Sequence, residues 1–134
     1  MKKHKLPDDM RKAWEQKRKA IPAMVPTMAL SLLKEKPRHG YDIMKESNGI
    51  LKKHFDAHFD FGENPDYFTP SNTYPALHEM EKNGLLKAHW EGRKKYYSIT
   101  PKGLKEFKLR KSIMAESMKM MKILFKEMFH EEAK

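Results

Sequence analysis

The chain has 134 residues, no cysteine and a formal net charge of +10, which fits one domain with an extension. The lack of cysteine excludes disulfides, thiolate metal sites and cysteine nucleophiles, and fits a reducing, cytoplasmic setting. No apolar run approaches the ~20 residues of a membrane span, and the excess of positive charge points to a polyanionic partner.

Residues 1–23 read as a basic extension. MKKHKLPDDM has no apolar segment of the kind a secretory signal carries. Pro7-Asp8-Asp9 can start a helix running to about Ala20, with acids at the positive end of its dipole. Its cations outnumber its apolar residues, so it serves either as a DNA-contacting arm or as a charged cap. Pro26 suits the first turn of a second helix, TMALSLLKEK, in which Met28, Leu30, Leu32 and Leu33 turn to the core until Pro37 ends it. His39-Gly40-Tyr41-Asp42 reads as a turn and helix start, followed by a helix with Ile43, Met44, Ile50, Leu51 and Phe55 facing inward.

Residues 56–69 are the least regular stretch, and they are long for a connection between short helices. His54 and His58 are four apart, with Asp56, Asp60 and Glu63 nearby, a spacing that can present ligands to a metal. The glutamate partner of the zinc-protease pattern is missing, so no metal is assigned. The aromatic residues Phe55, Phe59, Phe61, Tyr67 and Phe68 are expected to pin the segment down as a satellite core.

From Pro70 the chain reads as helix, β-hairpin and helix. Ala76, Leu77, Met80 and, more weakly, Tyr74 form the apolar face of the first. Asn83 and Gly84 stop it, since both tolerate the left-handed conformation that ends helices. LLKAHWE and KKYYSIT are strands joined through Glu91-Gly92-Arg93, with Tyr97 and Ile99 inward, Tyr96 and Ser98 outward, and Trp90 packed at the hairpin or near a dimer groove. The layout predicts a mainly α fold with a small β-hairpin wing: a winged helix-turn-helix over 24–103 and a long helix over 104–134. Along a helix expected from about Pro101 to Phe129, ~43 Å at 1.5 Å per residue, Leu104, Phe107, Met114, Met118, Met121, Phe125 and Met128 follow a 3-and-4 spacing, with Lys111 in one expected apolar slot, which marks a seam. A small domain cannot cover that length, and a second copy with two-fold symmetry is the simplest partner.

In such a fold the helix after Pro70 enters a major groove by its N-terminal end. Ser71, Asn72 and Thr73 lie there, with Asn suited to adenine and Ser or Thr to several partners; Ser71 or Asn72 can equally cap the helix. Tyr74 either bonds a phosphate or packs its ring, and His78 follows one turn on. Arg93, Lys94 and Lys95 at the hairpin tip suit phosphate or minor-groove contact. Tyr41 is open between a phosphate contact and core packing. No Ser/His/Asp pattern or phosphate-cradling glycine loop appears, so no enzyme is expected.

Several blocks occur together in order: Leu30-Ser31-Leu32-Leu33, His39-Gly40-Tyr41-Asp42-Ile43, Thr73-Tyr74-Pro75-Ala76-Leu77, Met80-Glu81, Asn83-Gly84-Leu85-Leu86, Arg93-Lys94-Lys95-Tyr96-Tyr97 and Ile99-Thr100-Pro101-Lys102-Gly103. The set resembles the PadR family of transcriptional regulators over about residues 24–103. That resemblance implies a homodimeric repressor on a palindromic operator, with the C-terminal helices as the dimer interface. Some relatives respond to phenolic acids or planar hydrophobic drugs, so a small hydrophobic or aromatic effector is a candidate partner, with Met114, Met118 and Met121 as its walls or as a plain seam. No cofactor is implied. The N-terminal extension and the long 56–69 segment depart from the family pattern. A non-specific or architectural nucleic-acid binder is the alternative reading of the charge.

Overall fold

The computed structural model of the chain describes residues 4–5, 7–18, 21–56, 59–60 and 66–131. A two-residue strand β1 (His4–Lys5) precedes helix α1 (Asp8–Arg18), which opens on Asp8 and Asp9. A short 3₁₀ turn leads into α2 (Val25–Glu35), whose buried face is Val25, Ala29, Leu30 and Leu33. Strand β2 (Arg38–His39) follows, then α3 (Gly40–Leu51), which runs into a π-helical turn over Lys52–Asp56. Strand β3 (Phe59–Asp60) pairs in parallel with β1. The remainder is α4 (Pro70–Lys82), β4 (Leu86–Glu91), β5 (Lys94–Ile99) and α5 (Pro101–Phe129).

The hairpin is not alone. His39, expected in a turn, forms with Arg38 a third antiparallel strand against Tyr97 and Tyr96, so the wing sheet has the order β2-β5-β4. Two residues are too few to show alternation in a sequence, and the pairing is made by β5, far along the chain.

The main core joins Ala29, Leu30 and Leu33 of α2 with Ile43 of α3, Leu77 and Met80 of α4, and Leu86 and Tyr97 of the sheet. A second cluster joins Val25, Leu51, Tyr67 and Phe68. It realises part of the expected satellite core; Phe61 and the side chains of Phe55 and Phe59 lie outside the described residues. Ile50, expected inside, is exposed. The inward row of α3 is Ile43, Ser47 and Leu51, with Asn48 beside it, and Ile50 falls on the other side. Asn48 donates from Nδ2 to the Phe68 carbonyl at 2.7 Å and accepts at Oδ1 from the Phe68 N–H at 2.8 Å. This two-way clamp ties the chain just ahead of α4 to α3 and starts α4 at a fixed place. Arg38 is also buried. It donates to the Leu32 carbonyl at 3.1 Å and pairs with Glu35 and Glu46, tying α2 to α3. A buried guanidinium is tolerable because its donors are met by carboxylates and a carbonyl.

Helix α4 ends as expected: Gly84 has φ of 78°, and the Leu85 and Gly84 N–H groups bond back to the Met80 and Glu81 carbonyls at 2.9 and 3.0 Å. The start of α5 is fixed just beyond. Thr100 caps it by accepting the Gly103 N–H at 3.0 Å, and its N–H donates to the Leu85 carbonyl at 3.1 Å. Gly103 is buried so close to that corner that a Cβ there would lie 2.1 Å from the Leu85 carbonyl oxygen. Only a residue without a side chain fits. Gly103→Ala should therefore destabilise the fold by about 1–3 kcal/mol, the cost of overpacking a close contact; urea denaturation at fixed protein concentration measures it, and an unchanged midpoint would contradict the packing described.

Candidate nucleic-acid interface

Helix α4 has two faces. Thr73, Leu77 and Met80 are buried, while Ser71, Tyr74, Pro75, His78 and Lys82 are exposed at spacings of one, two and three turns. Ser71, Tyr74 and His78 thus share one open face, as a groove-reading helix requires. Lys82 extends it. Its position continues the 71-74-78 row in the sequence, a signal that the chain's many other cations mask.

Two residues assigned to base reading are placed otherwise. Thr73 is 1% exposed, and its hydroxyl donates to Asn72 Oδ1 at 3.1 Å, so it has no access to a groove. Asn72 holds the start of the helix: Oδ1 also accepts the Thr69 N–H at 2.9 Å, and Nδ2 donates to the Tyr67 carbonyl at 3.2 Å. A bidentate contact to adenine needs a free oxygen, and both lone pairs of Oδ1 are engaged here. The capping alternative fits this geometry.

Tyr41, on the first turn of α3, is exposed rather than packed in the core. The Tyr74 ring packs against α3, where a Cβ on Gly40 would come within 3.3 Å of Cε1, while part of the side chain stays open. The two tyrosines therefore flank Gly40 at the junction of α3 and α4.

The wing tip is a two-residue loop. Glu91 and Lys94 are the last pair, and Gly92 has φ of 62° at the first loop position, as a type II′ turn demands. Arg93 and Lys94 are exposed. Lys95 is not part of that free cluster, because strand alternation sends it to the face that meets α4. Its Nζ donates to Glu81 Oε1 at 2.9 Å and lies 5.2 Å from the centre of the Tyr97 ring. The hydrogen bond to Glu81 raises the Lys95 pKa above the usual 10.5 despite the opposing effect of desolvation. Tyr97 and Ile99 face the core as expected. The opposite face carries a row of rings, His39, Tyr96 and His89, with centroids 5.8 and 5.6 Å apart. Trp90, expected to pack, is 66% exposed.

Along α5, Phe107 leaves the expected seam. It packs against the main core with the Lys34 ammonium 5.3 Å from its ring centre, because the first turns of α5 still lie on α2. Arg110 secures that contact by donating to Thr27 Oγ1 at 3.0 Å. Beyond it, every residue from 111 to 131 is exposed, including Met114, Met118, Met121, Phe125 and Met128. Ser112, Ile113, Glu116, Ser117, Met120 and Met121 line an open, largely apolar groove there. Of the residues weighed as metal ligands, His54 is exposed, whereas His58 and Glu63 lie outside the described residues. Among the described residues no group of three or more metal-ligating side chains comes together. Among them, too, no helix is long and apolar enough to cross a membrane.

A three-helix core, a wing and a long trailing helix define the class: a winged helix-turn-helix protein. The sequence profile of the PadR-like family of transcriptional regulators matches residues 29–109, and the chain belongs to that family. The solved structure of a transcriptional regulator from Clostridium thermocellum, Cth-833, is similar at 27% identity and a TM-score of 0.60, over 76% of this chain and 90% of that one. A PadR family transcription regulator from Clostridium difficile R20291 shares the fold at 21% identity and a TM-score of 0.58, over 76% and 98% of the two chains. No curated protein sequence matches the chain.

The bonds of Asn72 yield a test. Asn72→Ala should lower stability by about 1 kcal/mol, as loss of a helix-start bond does. Thermal unfolding would register the loss, and DNA selection should return an unaltered preferred sequence.

Proposed function

We propose that the protein is a sequence-specific DNA-binding regulator of transcription, acting as a homodimeric repressor on a palindromic operator in the cytoplasm. The observation that carries this reading is the open face of α4, Ser71, Tyr74, His78 and Lys82, on a chain of a transcriptional-regulator family. That face inserts into a major groove, with Ser71 and His78 nearest the bases and Tyr74 and Tyr41 toward the backbone. Arg93 and Lys94 at the wing tip meet phosphates or the minor groove beside it.

The uncovered part of α5 supports the dimer. Met114, Met118, Met121, Phe125 and Met128 recur at heptad-like spacing and are all exposed, so a second copy of the helix buries both stripes at once. Two-fold symmetry then calls for two half-sites about 34–36 Å apart, or a multiple of that. An effector, where one acts, is a small hydrophobic or aromatic molecule held among methionines of this seam, and it shifts DNA affinity by its preference for one dimer geometry.

The net charge of +10 favours a second reading, a non-specific or architectural binder. Fluorescence anisotropy with the protein's own upstream region and a scrambled duplex, over a salt series, separates the two. A preference that survives near-physiological salt supports the regulator; equal affinities that collapse together with salt support the architectural binder. On any duplex, Arg93→Ala should weaken binding and lower the slope of log affinity against log salt by about one. Met118→Asp combined with Met121→Asp should convert the dimer to monomer in sedimentation analysis. A dimer that persists in this variant would remove the seam from the interface.

A further inference from the structure

The wing and α4 are joined by one side-chain bridge whose position matters more than its strength. Lys95 lies on β5 one residue pair back from the hairpin tip, on the sheet face that meets α4. Its partner Glu81 lies in the last turn of α4. Among the described residues, the 2.9 Å bond between them is the one side-chain hydrogen bond linking the wing strands to this helix. Closer to the core the hairpin is anchored by Leu86, Ala88, Tyr97 and Ile99. Outward of Ala88 and Tyr97, the inward-facing pair is Trp90 with Lys95, and Trp90 is exposed, so apolar packing has ended there. The Lys95 ammonium stands between the Tyr97 ring at 5.2 Å and the Trp90 ring at 6.0 Å, with both partners of the bridge half-buried.

We propose that Glu81 and Lys95 are positioning residues: a strut that sets the angle of the wing tip to the open face of α4, and thereby the distance between phosphate contacts and base contacts. The inference rests on the DNA-binding reading and deepens it. Lys95 then acts through its carboxylate partner, whereas Arg93 and Lys94 act on the nucleic acid. Sequence preference requires both contact sets to engage one site together, while non-specific binding lets each find any phosphate. Loss of the strut therefore costs preference, and general affinity is spared.

Electrostatics alone makes the opposite forecast, which gives the experiment its power. Glu81→Gln removes a negative charge from a DNA-binding surface, so a purely electrostatic role tightens binding to every duplex equally. The strut predicts that Glu81→Gln lowers the ratio of preferred-site to scrambled-site affinity, by roughly 2- to 30-fold, the range of such indirect couplings. Lys95→Met should lower the same ratio and leave the salt slope unchanged; a slope reduced by about one would make Lys95 a phosphate contact and overturn the proposal. The charge-reversed pair Glu81→Lys with Lys95→Glu should recover part of the ratio. A DNA-free measurement stands beside these. The chain has two tryptophans, so Trp14→Phe leaves Trp90 as the sole emitter next to the strut. In that background Glu81→Gln should shorten the nanosecond anisotropy decay of Trp90, and an unchanged decay would overturn the strut. Should the parent protein show no preferred sequence, the DNA reading fails, and the Trp90 decay still decides whether the strut exists.

Discussion

The arrangement beyond residue 100 depends on one close approach, that of the α5 backbone at Gly103 to the Leu85 carbonyl. Leu85 is the residue at which α4 has just ended and β4 is about to start, and it also receives the Thr100 N–H. Helix end, strand start and the cap of the next helix are thus drawn onto one carbonyl. The corner is too tight for a side chain, so the direction of α5 is set by covalent geometry and hydrogen bonding. Phe107 and Arg110 then need only lie down on α2, and the rest of α5 continues in the direction so set.

A second theme is that polar side chains set the positions of the functional elements. Asn48 clamps Phe68, Asn72 fastens the first turn of α4 to Thr69 and Tyr67, and Arg38 holds α2 to α3. Apolar burial fixes which faces turn inward, but it is non-directional and leaves a helix free to slide by part of a turn. Directional bonds to backbone atoms remove that freedom. They place Ser71, Tyr74 and His78 at defined heights along the open face of α4.

Much of this was legible in the chain, for physical reasons that differ by element. Leu30 and Leu33, Leu77 and Met80, and Tyr97 and Ile99 sit at the periods their elements impose, so the core and the wing could be read directly. The family blocks carried the class. The open face of α4 was half legible, because Ser71, Tyr74 and His78 follow one another at helical spacing, whereas Lys82 does not stand out in a chain so rich in cations. The misreadings share a cause. Thr73 and Asn72 are residue types that serve surfaces, caps and bases alike, and only the neighbours in space decide among these uses. Lys95 continued a run of three cations in sequence, but strand alternation turned it away from the other two. Phe107 continued a heptad spacing, yet that part of α5 lies on the main core. Strand β2 was invisible because its partner lies more than fifty residues away.

The length of α5 has a consequence for how the chain folds. Up to Arg110 the helix rests on α2, whereas every residue from 111 to 131 is exposed. An isolated helix of that length is marginal in water, because nucleation and propagation alone barely balance the lost entropy. In the homodimer proposed above, the chain has two cooperative units of different molecularity: the winged core completes itself in a single chain, while the outer helix is completed by the second copy and its persistence follows mass action. On that reading dilution unravels the trailing helix while the winged core stays whole.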